Sequence, residues 1–351
     1  MNSMPTNLLA FPRFLGLFLR IRLLNLTSRF PPLAGGLLDK QTALLRKAQV
    51  VLGEVPLERI SPVQARANMR DSFRTLKSVG GLFEEVDAVR QLSIPGPAGI
   101  IPARLYLPGK DVAYPLFVLL HGGGWVIGDL DTADNMARFI CKRAVFAVLS
   151  VDYRLAPEHP FPAAVDDSFA AVCWAAEHAP ELHGDANRIV VGGDSAGGSL
   201  SAVVSQLAHQ RGAPRLAGQV LFYPGTDSSS LDTPSYREFG DKSLGLPKRD
   251  VEWFLDQYVP HRPDRLNPLV SPLLAADVHG LAPALVVTAE YDVLRDEGEA
   301  YARRLEQAGV KVRLMRCYGM IHGFLSLMGL IKRATQYFDQ IILEIRTLAA
   351  V

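Results

Sequence analysis

Three observations predict an α/β fold with a mostly parallel central sheet and helices on both faces. Short, mostly apolar runs recur at Leu116 to Leu120, Val145 to Val151, Arg188 to Val191, Gly218 to Tyr223 and Ala284 to Ala289. Stretches with helical spacing lie between most of them, as in a doubly covered sheet. The residues best suited to chemistry follow the carboxyl ends of these runs, the edge at which open parallel sheets bind ligands.

At 351 residues the chain can enclose a large core, either as one big α/β domain with insertions or as two smaller domains. Apolar residues make up 48% and charged residues 21%, a globular rather than a disordered mix. Basic and acidic residues number 37 and 36, so nothing favours a polyanion and no nucleic-acid partner is expected. The three cysteines, Cys141, Cys173 and Cys317, are odd in number and lack C-x-x-C spacing. They imply a reducing, cytoplasmic setting and no metal site.

Taken in order, the chain starts with an apolar segment, Leu8 to Leu26, interrupted by Arg13, Arg20 and Arg22, with no acidic residue before Asp39. It lacks the unbroken apolar stretch and small-residue cleavage site of a signal peptide, and the roughly 20 apolar residues of a membrane span. Its pattern suits an amphipathic helix that packs on its own protein, covers an apolar pocket or lies on a membrane. After Pro31-Pro32 and Gly35-Gly36, a helix is expected from Lys40 to about Val51, burying Leu44, Leu45, Val50 and Val51. Strands are expected from Phe83 to Ile94 and from Ile101 to Leu107, with a turn at Pro95-Gly96-Pro97.

Directly after the Leu116 to Leu120 strand comes His121-Gly122-Gly123-Gly124-Trp125. Successive glycines expose backbone N–H groups to which a developing negative charge can come close. The plainer reading is a flexible loop. A proline-rich loop from Tyr153 to Pro162 and a helix from Ala163 to His178 follow the next strand.

The Arg188 to Val191 strand then leads into Gly193-Asp194-Ser195-Ala196-Gly197, and Leu200, Val203, Val204 and Leu207 continue at helical spacing. A G-x-S-x-G sequence between strand and helix describes a sharp turn whose small flanks let the serine hydroxyl project above the sheet. The alternative is that Ser195 simply caps the helix. From Thr226 to about Pro272 the alternation fails, and the segment reads as an insertion holding one aromatic helix, Val251 to Tyr258. Alternation returns with the Ala284 strand, a helix from Arg295 to Gln307, a stop at Gly309, a strand from Val310 to Arg316 and a closing helix from about Lys332 to Leu348.

Asp292 and His322 complete the set, each past the carboxyl end of a strand in this last third. Serine is a weak nucleophile until a base takes its proton; imidazole titrates near neutral pH, and a carboxylate fixes its tautomer. The chain order Ser195, Asp292, His322 is that of a serine-hydrolase triad on an α/β sheet. Among the eight histidines His121 also stands at this edge, where its place before the glycines suggests bracing of the loop. His159, His178, His183, His209, His261 and His279 read as surface or loop residues. For the acid, Glu290, Asp296 and Glu297 are the neighbours to weigh against Asp292.

Five segments make a closer comparison: His121-Gly122-Gly123-Gly124-Trp125, Asp152 to Glu158, Gly193 to Gly198, Asp292 to Glu297 and His322-Gly323-Phe324. In this order, and from about residue 85 to 350, the chain resembles the hormone-sensitive-lipase-like family of α/β-hydrolase carboxylesterases. The resemblance implies an α/β-hydrolase fold with a helical cap and a serine esterase needing no cofactor. It also implies an oxyanion hole formed by the N–H groups of Gly123, Gly124 and Ala196, with His121, Gly122 and Asp194 in support. The family's cap would correspond to residues 1–60 and 226–265, and the catalytic domain to 61–225 and 266–351; Trp253, Phe254 and Tyr258 would suit an apolar acyl or alcohol group.

The expected substrate is a small-molecule ester of short or medium chain. An amidase or deformylase shares the tetrahedral intermediate and stays open, as do a homodimer and peripheral membrane contact through residues 8–26. A ligand-binding receptor without catalysis is disfavoured, because Ser195, Asp292 and His322 are all present.

Overall fold

Eight strands form one sheet in a computed structural model that describes residues 37–52, 55–78, 83–109, 113–242 and 244–349. The apolar segment 8–26 lies outside the described residues. The strands are β1 (Ala88–Gly96), β2 (Gly99–Leu107), β3 (Tyr114–Leu120), β4 (Ala147–Val151), β5 (Gly184–Asp194), β6 (Gly218–Phe222), β7 (Ala284–Tyr291) and β8 (Val312–Ile321), and their order across the sheet is β1-β2-β4-β3-β5-β6-β7-β8. The principal helices are α1 (Lys40–Leu52), α2 (Pro62–Ser78), α3 (Leu130–Phe139), α4 (Ala163–Glu177), α5 (Ala196–Arg211), α6 (Pro234–Phe239), α7 (Lys248–Tyr258), α8 (Arg295–Gln307) and α9 (Lys332–Ala349).

Strands β3 to β8 pair in parallel throughout, while the β1–β2 hairpin joins β4 antiparallel. Leu116 to Leu120 is inaccessible to solvent, as a strand covered on both faces requires. Its side chains alternate: Phe117 and Leu119 join the cluster with Phe139 and Phe338 on one face, and Leu116, Val118 and Leu120 join Val165 and Leu200 on the other. Crossover helices thus cover both faces, and the carboxyl ends of all the parallel strands open on one edge.

The structure departs from the sequence reading in several local places. The first strand begins at Ala88, not Phe83, and the hairpin closes at Pro97-Ala98 because Gly96 pairs with Gly99, which stands at φ +130°. The last strand runs on past Arg316 to Ile321. Beside it, the pairing with β7 shifts register after Ala289, and the Glu290 carboxylate accepts the Gly319 N–H at 2.7 Å.

Three helices went unmarked: α2, α3 and the six-residue α6. In α3, Asp129 accepts the N–H groups of Asp131 and Thr132 while the Thr132 hydroxyl accepts the Asp129 N–H, a reciprocal cap with aspartate and threonine in exchanged places. Among the described side chains of α2 only Ala65 is buried, and most of the helix reads as polar. Met69, Phe73 and Leu76, at i, i+4 and i+7, are the apolar stripe that would have revealed it.

Candidate active site

Ser195 stands between the last residue of β5 and the first of α5, at φ +54° and ψ −119°. A serine there carries strain of about 1–3 kcal/mol, sustained only where the surroundings over-determine the turn. They do so by close approach: a Cβ on Gly193 would lie 2.0 Å from the Leu120 carbonyl oxygen, and one on Gly197 only 1.9 Å from it. The Ser195 N–H donates to the Phe222 carbonyl at 2.8 Å, and its side chain makes no capping bond. The helix-cap alternative therefore fails, and the hydroxyl points elsewhere.

It points at His322, whose Nε2 lies 3.0 Å from Ser195 Oγ. The other ring nitrogen, Nδ1, lies 2.7 Å from Asp292 Oδ2, and Asp292 Oδ1 accepts the Leu294 N–H at 2.9 Å. An ionised carboxylate only accepts, so Nδ1 donates and the neutral ring leaves Nε2 free to accept the serine proton. Asp292 is 1% exposed, and the edge of the Tyr223 ring meets the imidazole with centroids 5.0 Å apart. A proton can pass from hydroxyl to imidazole along this row without rearrangement.

The competing acids are engaged elsewhere. Glu290 holds Gly319, Asp296 accepts the Ser235 N–H and pairs with Arg295, and Glu297 accepts the Thr226 and Asp227 N–H groups. His121 stays out of the row too. Its Nδ1 donates to the Gly122 carbonyl at 2.8 Å, and its ring stacks on Tyr153 with centroids 4.3 Å apart.

The glycine loop is held, not slack. Asp194 Oδ1 accepts the Gly122 N–H at 2.8 Å, tying the loop after β3 to the serine turn after β5. Burial pushes the Asp194 carboxyl upward, against the pull of that N–H group. Gly123 stands at φ +121°, where a Cβ would lie 2.1 Å from the Ile127 carbonyl oxygen; Gly124 stands at φ +57°, where a Cβ would strike the Phe254 ring at 2.2 Å. Trp125 follows at φ +60° and stacks on Tyr258, with centroids 4.5 Å apart.

Ser195, His322, Gly123, Gly124 and Ala196 all line one cavity of about 580 Å³. Phe254 forms part of its wall, whereas Trp253 packs edge-on against Phe254 without lining it. Sequence reasoning missed the contributions of α2, through Met69 and Phe73, and of two polar groups, Tyr236 and Glu297. The Tyr236 hydroxyl and Glu297 Oε2 are buried without a hydrogen-bond partner among the described residues, and burial pushes the Glu297 carboxyl well above its usual range. Among the described residues, no group of three or more His, Cys, Asp or Glu could hold a metal ion, and no helix is long and apolar enough to cross a membrane.

Sheet order, strained serine turn and cavity together describe an α/β hydrolase. The sequence profile of the α/β-hydrolase fold family matches residues 117–326. The chain is 51% identical to the carboxylic ester hydrolase LipN of Mycobacterium tuberculosis over 271 residues, covering 76% of this chain and 70% of that one. It is 40% identical to the ethyl acetate hydrolase of Pseudomonas putida, covering 80% and 89% respectively. Among solved structures, the thermostable carboxylesterase EstE1 from a metagenomic library superposes with a TM-score of 0.81 at 40% identity, covering 84% of this chain and all of that one. The hyperthermophilic esterase of Pyrobaculum calidifontis superposes with a TM-score of 0.85 at 36% identity, covering 90% and 100%. The chain belongs to the α/β-hydrolase fold family, in its hormone-sensitive-lipase-like branch, and so to a group of carboxylic ester hydrolases.

Proposed function

We propose that this chain is a serine carboxylesterase for short- to medium-chain carboxylic esters, working through an acyl-enzyme. The observation that carries the reading is the unbroken row Ser195 Oγ, His322 Nε2, His322 Nδ1, Asp292 Oδ2, with steps of 3.0 and 2.7 Å. His322 takes the serine proton as Oγ attacks the ester carbonyl, and Asp292 stabilises the imidazolium that forms. The N–H groups of Gly123, Gly124 and Ala196 receive the oxyanion, and His322 returns its proton to the departing alcohol. Water, activated by the same imidazole, then releases the acid.

The lining supports the substrate class. A cavity of about 580 Å³ with Phe254, Met69 and Phe73 in its wall suits a small ester with an apolar chain. Residues 1–60 and 226–265 are proposed as the cap, with the segment 8–26 as part of the pocket's cover. Deleting residues 8–26 should therefore move the ester chain-length optimum and leave sedimentation with vesicles unchanged; lost vesicle binding would assign the segment to lipid.

The deciding experiment treats the protein with a fluorophosphonate and assays matched p-nitrophenyl esters and anilides. Labelling of Ser195, absent from Ser195→Ala, with esters cleaved far faster than anilides, is expected. Failure to label the folded protein overturns the hydrolase reading; preference for anilides replaces it with an amidase.

A further inference from the structure

The oxyanion reading rests on a turn that strains against its own backbone, with Gly123, Gly124 and Trp125 at φ +121°, +57° and +60° in succession. Something must hold the chain on the far side of that turn. Within the loop, the Gly123 carbonyl accepts the Val126 and Ile127 N–H groups at 3.1 and 2.9 Å, and the Trp125 carbonyl accepts the Ala156 N–H at 2.9 Å. Besides the Asp194 bond and the stacking of Trp125 on Tyr258, a further hold comes from α2. Arg66 donates from Nε to the Val126 carbonyl at 2.8 Å and from Nη2 to the Ala156 carbonyl at 2.8 Å, and forks onto both Glu158 oxygens at 2.9 and 2.6 Å.

One guanidinium thus joins the oxyanion loop to the loop after β4, at Val126, next to Trp125, and at Ala156, the residue whose N–H bonds the Trp125 carbonyl. Its planar fork fills all of these positions at once, which an ammonium cannot do. The Arg66 side chain is only 18% exposed, and the partly exposed Glu158 carboxyl is held below its usual range by Arg66. One turn further along the same helix face, Arg70 Nε donates to Asp129, the residue that caps α3 and follows Gly128 at φ +98°. Both ends of the segment from Val126 to Asp129 are therefore pinned from α2, a helix whose Met69 and Phe73 line the cavity.

We propose that Arg66 is a positioning residue for ester hydrolysis: from α2 it holds the Gly123-Gly124-Trp125 turn in the strained form that aims its amides at the oxyanion. The inference rests on the acyl-transfer reading above. Arg66 touches no reacting atom in it; a loosened turn moves the donors away from the oxyanion while leaving the apolar walls that bind the ester's chain. The role is thus read in transition-state binding, not in ground-state binding.

The test compares Arg66→Gln, Arg66→Lys and Glu158→Gln with the parent enzyme, with kcat expressed per active site titrated by fluorophosphonate. Losing one oxyanion donor outright costs about 100-fold or more, so misplacing the donors should lower kcat of Arg66→Gln on the order of 10-fold with KM within about 3-fold. A trifluoromethyl ketone, which forms a tetrahedral adduct on the serine, should lose affinity by the same factor, whereas an uncleavable ether of the same shape should bind as before. Arg66→Lys and Glu158→Gln should fall between parent and Arg66→Gln, and they decide the matter if Arg66→Gln does not fold. A kcat per titrated site within 2-fold of the parent in these variants, or equal losses for ketone and ether, would overturn the inference with the hydrolase reading intact. No turnover by the parent would instead sink that reading.

Discussion

Ser195, Asp292 and His322 are each the first residue after a strand, whereas the wall facing them is gathered from α2, the stretch after β6 and the start of α8. The two regions obey different constraints. Residues at strand ends inherit their spacing from the hydrogen-bond ladder, and β7 and β8 are neighbours, so Asp292 and His322 meet almost by register. The wall has no such ladder and depends on how helices pack, as where Phe254 closes onto Gly124. On the proposed reading, chemistry rests on the strand ends and substrate choice on the helix-built wall.

Breaking the strand-end row should therefore have the largest effect. Ser195→Ala and His322→Ala should each lower kcat by roughly 10³-fold or more, with KM little changed. In the parent enzyme kcat/KM should be lower in acid than at neutral pH, because only an imidazole with a free ring nitrogen accepts the serine proton. A flat pH profile would break the base assignment.

The next largest effect falls where the two regions touch. Gly124→Ala places a methyl group against the Phe254 ring and forces an unfavourable backbone at φ +57°. Esterase activity per folded molecule should drop about 100-fold, the scale of a lost oxyanion donor. Near-parental turnover would show that Gly124 is not such a donor.

On the wall alone the effects should be smaller and selective. Phe254→Ala should shift preference towards longer or bulkier esters by about 10-fold in relative kcat/KM while leaving fluorophosphonate labelling of Ser195 intact. A uniform loss across a chain-length series would remove Phe254 from the specificity surface.

Smallest in activity is Glu297→Gln, expected to change kcat by less than about 3-fold, since burial already favours the protonated, uncharged acid. Its signature lies in stability. A carboxyl raised above its unfolded value binds its proton more tightly when folded, so its contribution is complete below about pH 4.5 and is lost as pH rises above that. The Tm of Glu297→Gln relative to the parent should thus increase between about pH 5 and 8; a constant difference would mean that the carboxylate is ionised in the fold.

The parallel strands and the serine turn were legible because each is local. The β-branched run to Val191 followed by small residues around Ser195 states both strand and turn within ten positions. Asp292 was separable from Glu290, which is still near its strand, and from Asp296 and Glu297, which open the next helix, but the bond to His322 needed three-dimensional placement. The helix α2 was obscured because its apolar stripe is only three residues, Met69, Phe73 and Leu76, and these line the cavity. Arg66 gave no local signal: two of its acceptors are backbone carbonyls at residues 126 and 156, which every residue type has, and its carboxylate partner Glu158 lies 92 positions away.

What the amino-acid order determined unaided was the alternation of elements, the sharp turn at Ser195 and the candidate nucleophile, base and acid, since periodicity and turn chemistry act between residues near in sequence. The tertiary structure alone decided the contact between His322 and Asp292, the burial of Glu297 and the seating of the glycine loop. Those depend on burial, and on partners 30 to more than 100 residues away, which a linear pattern does not encode.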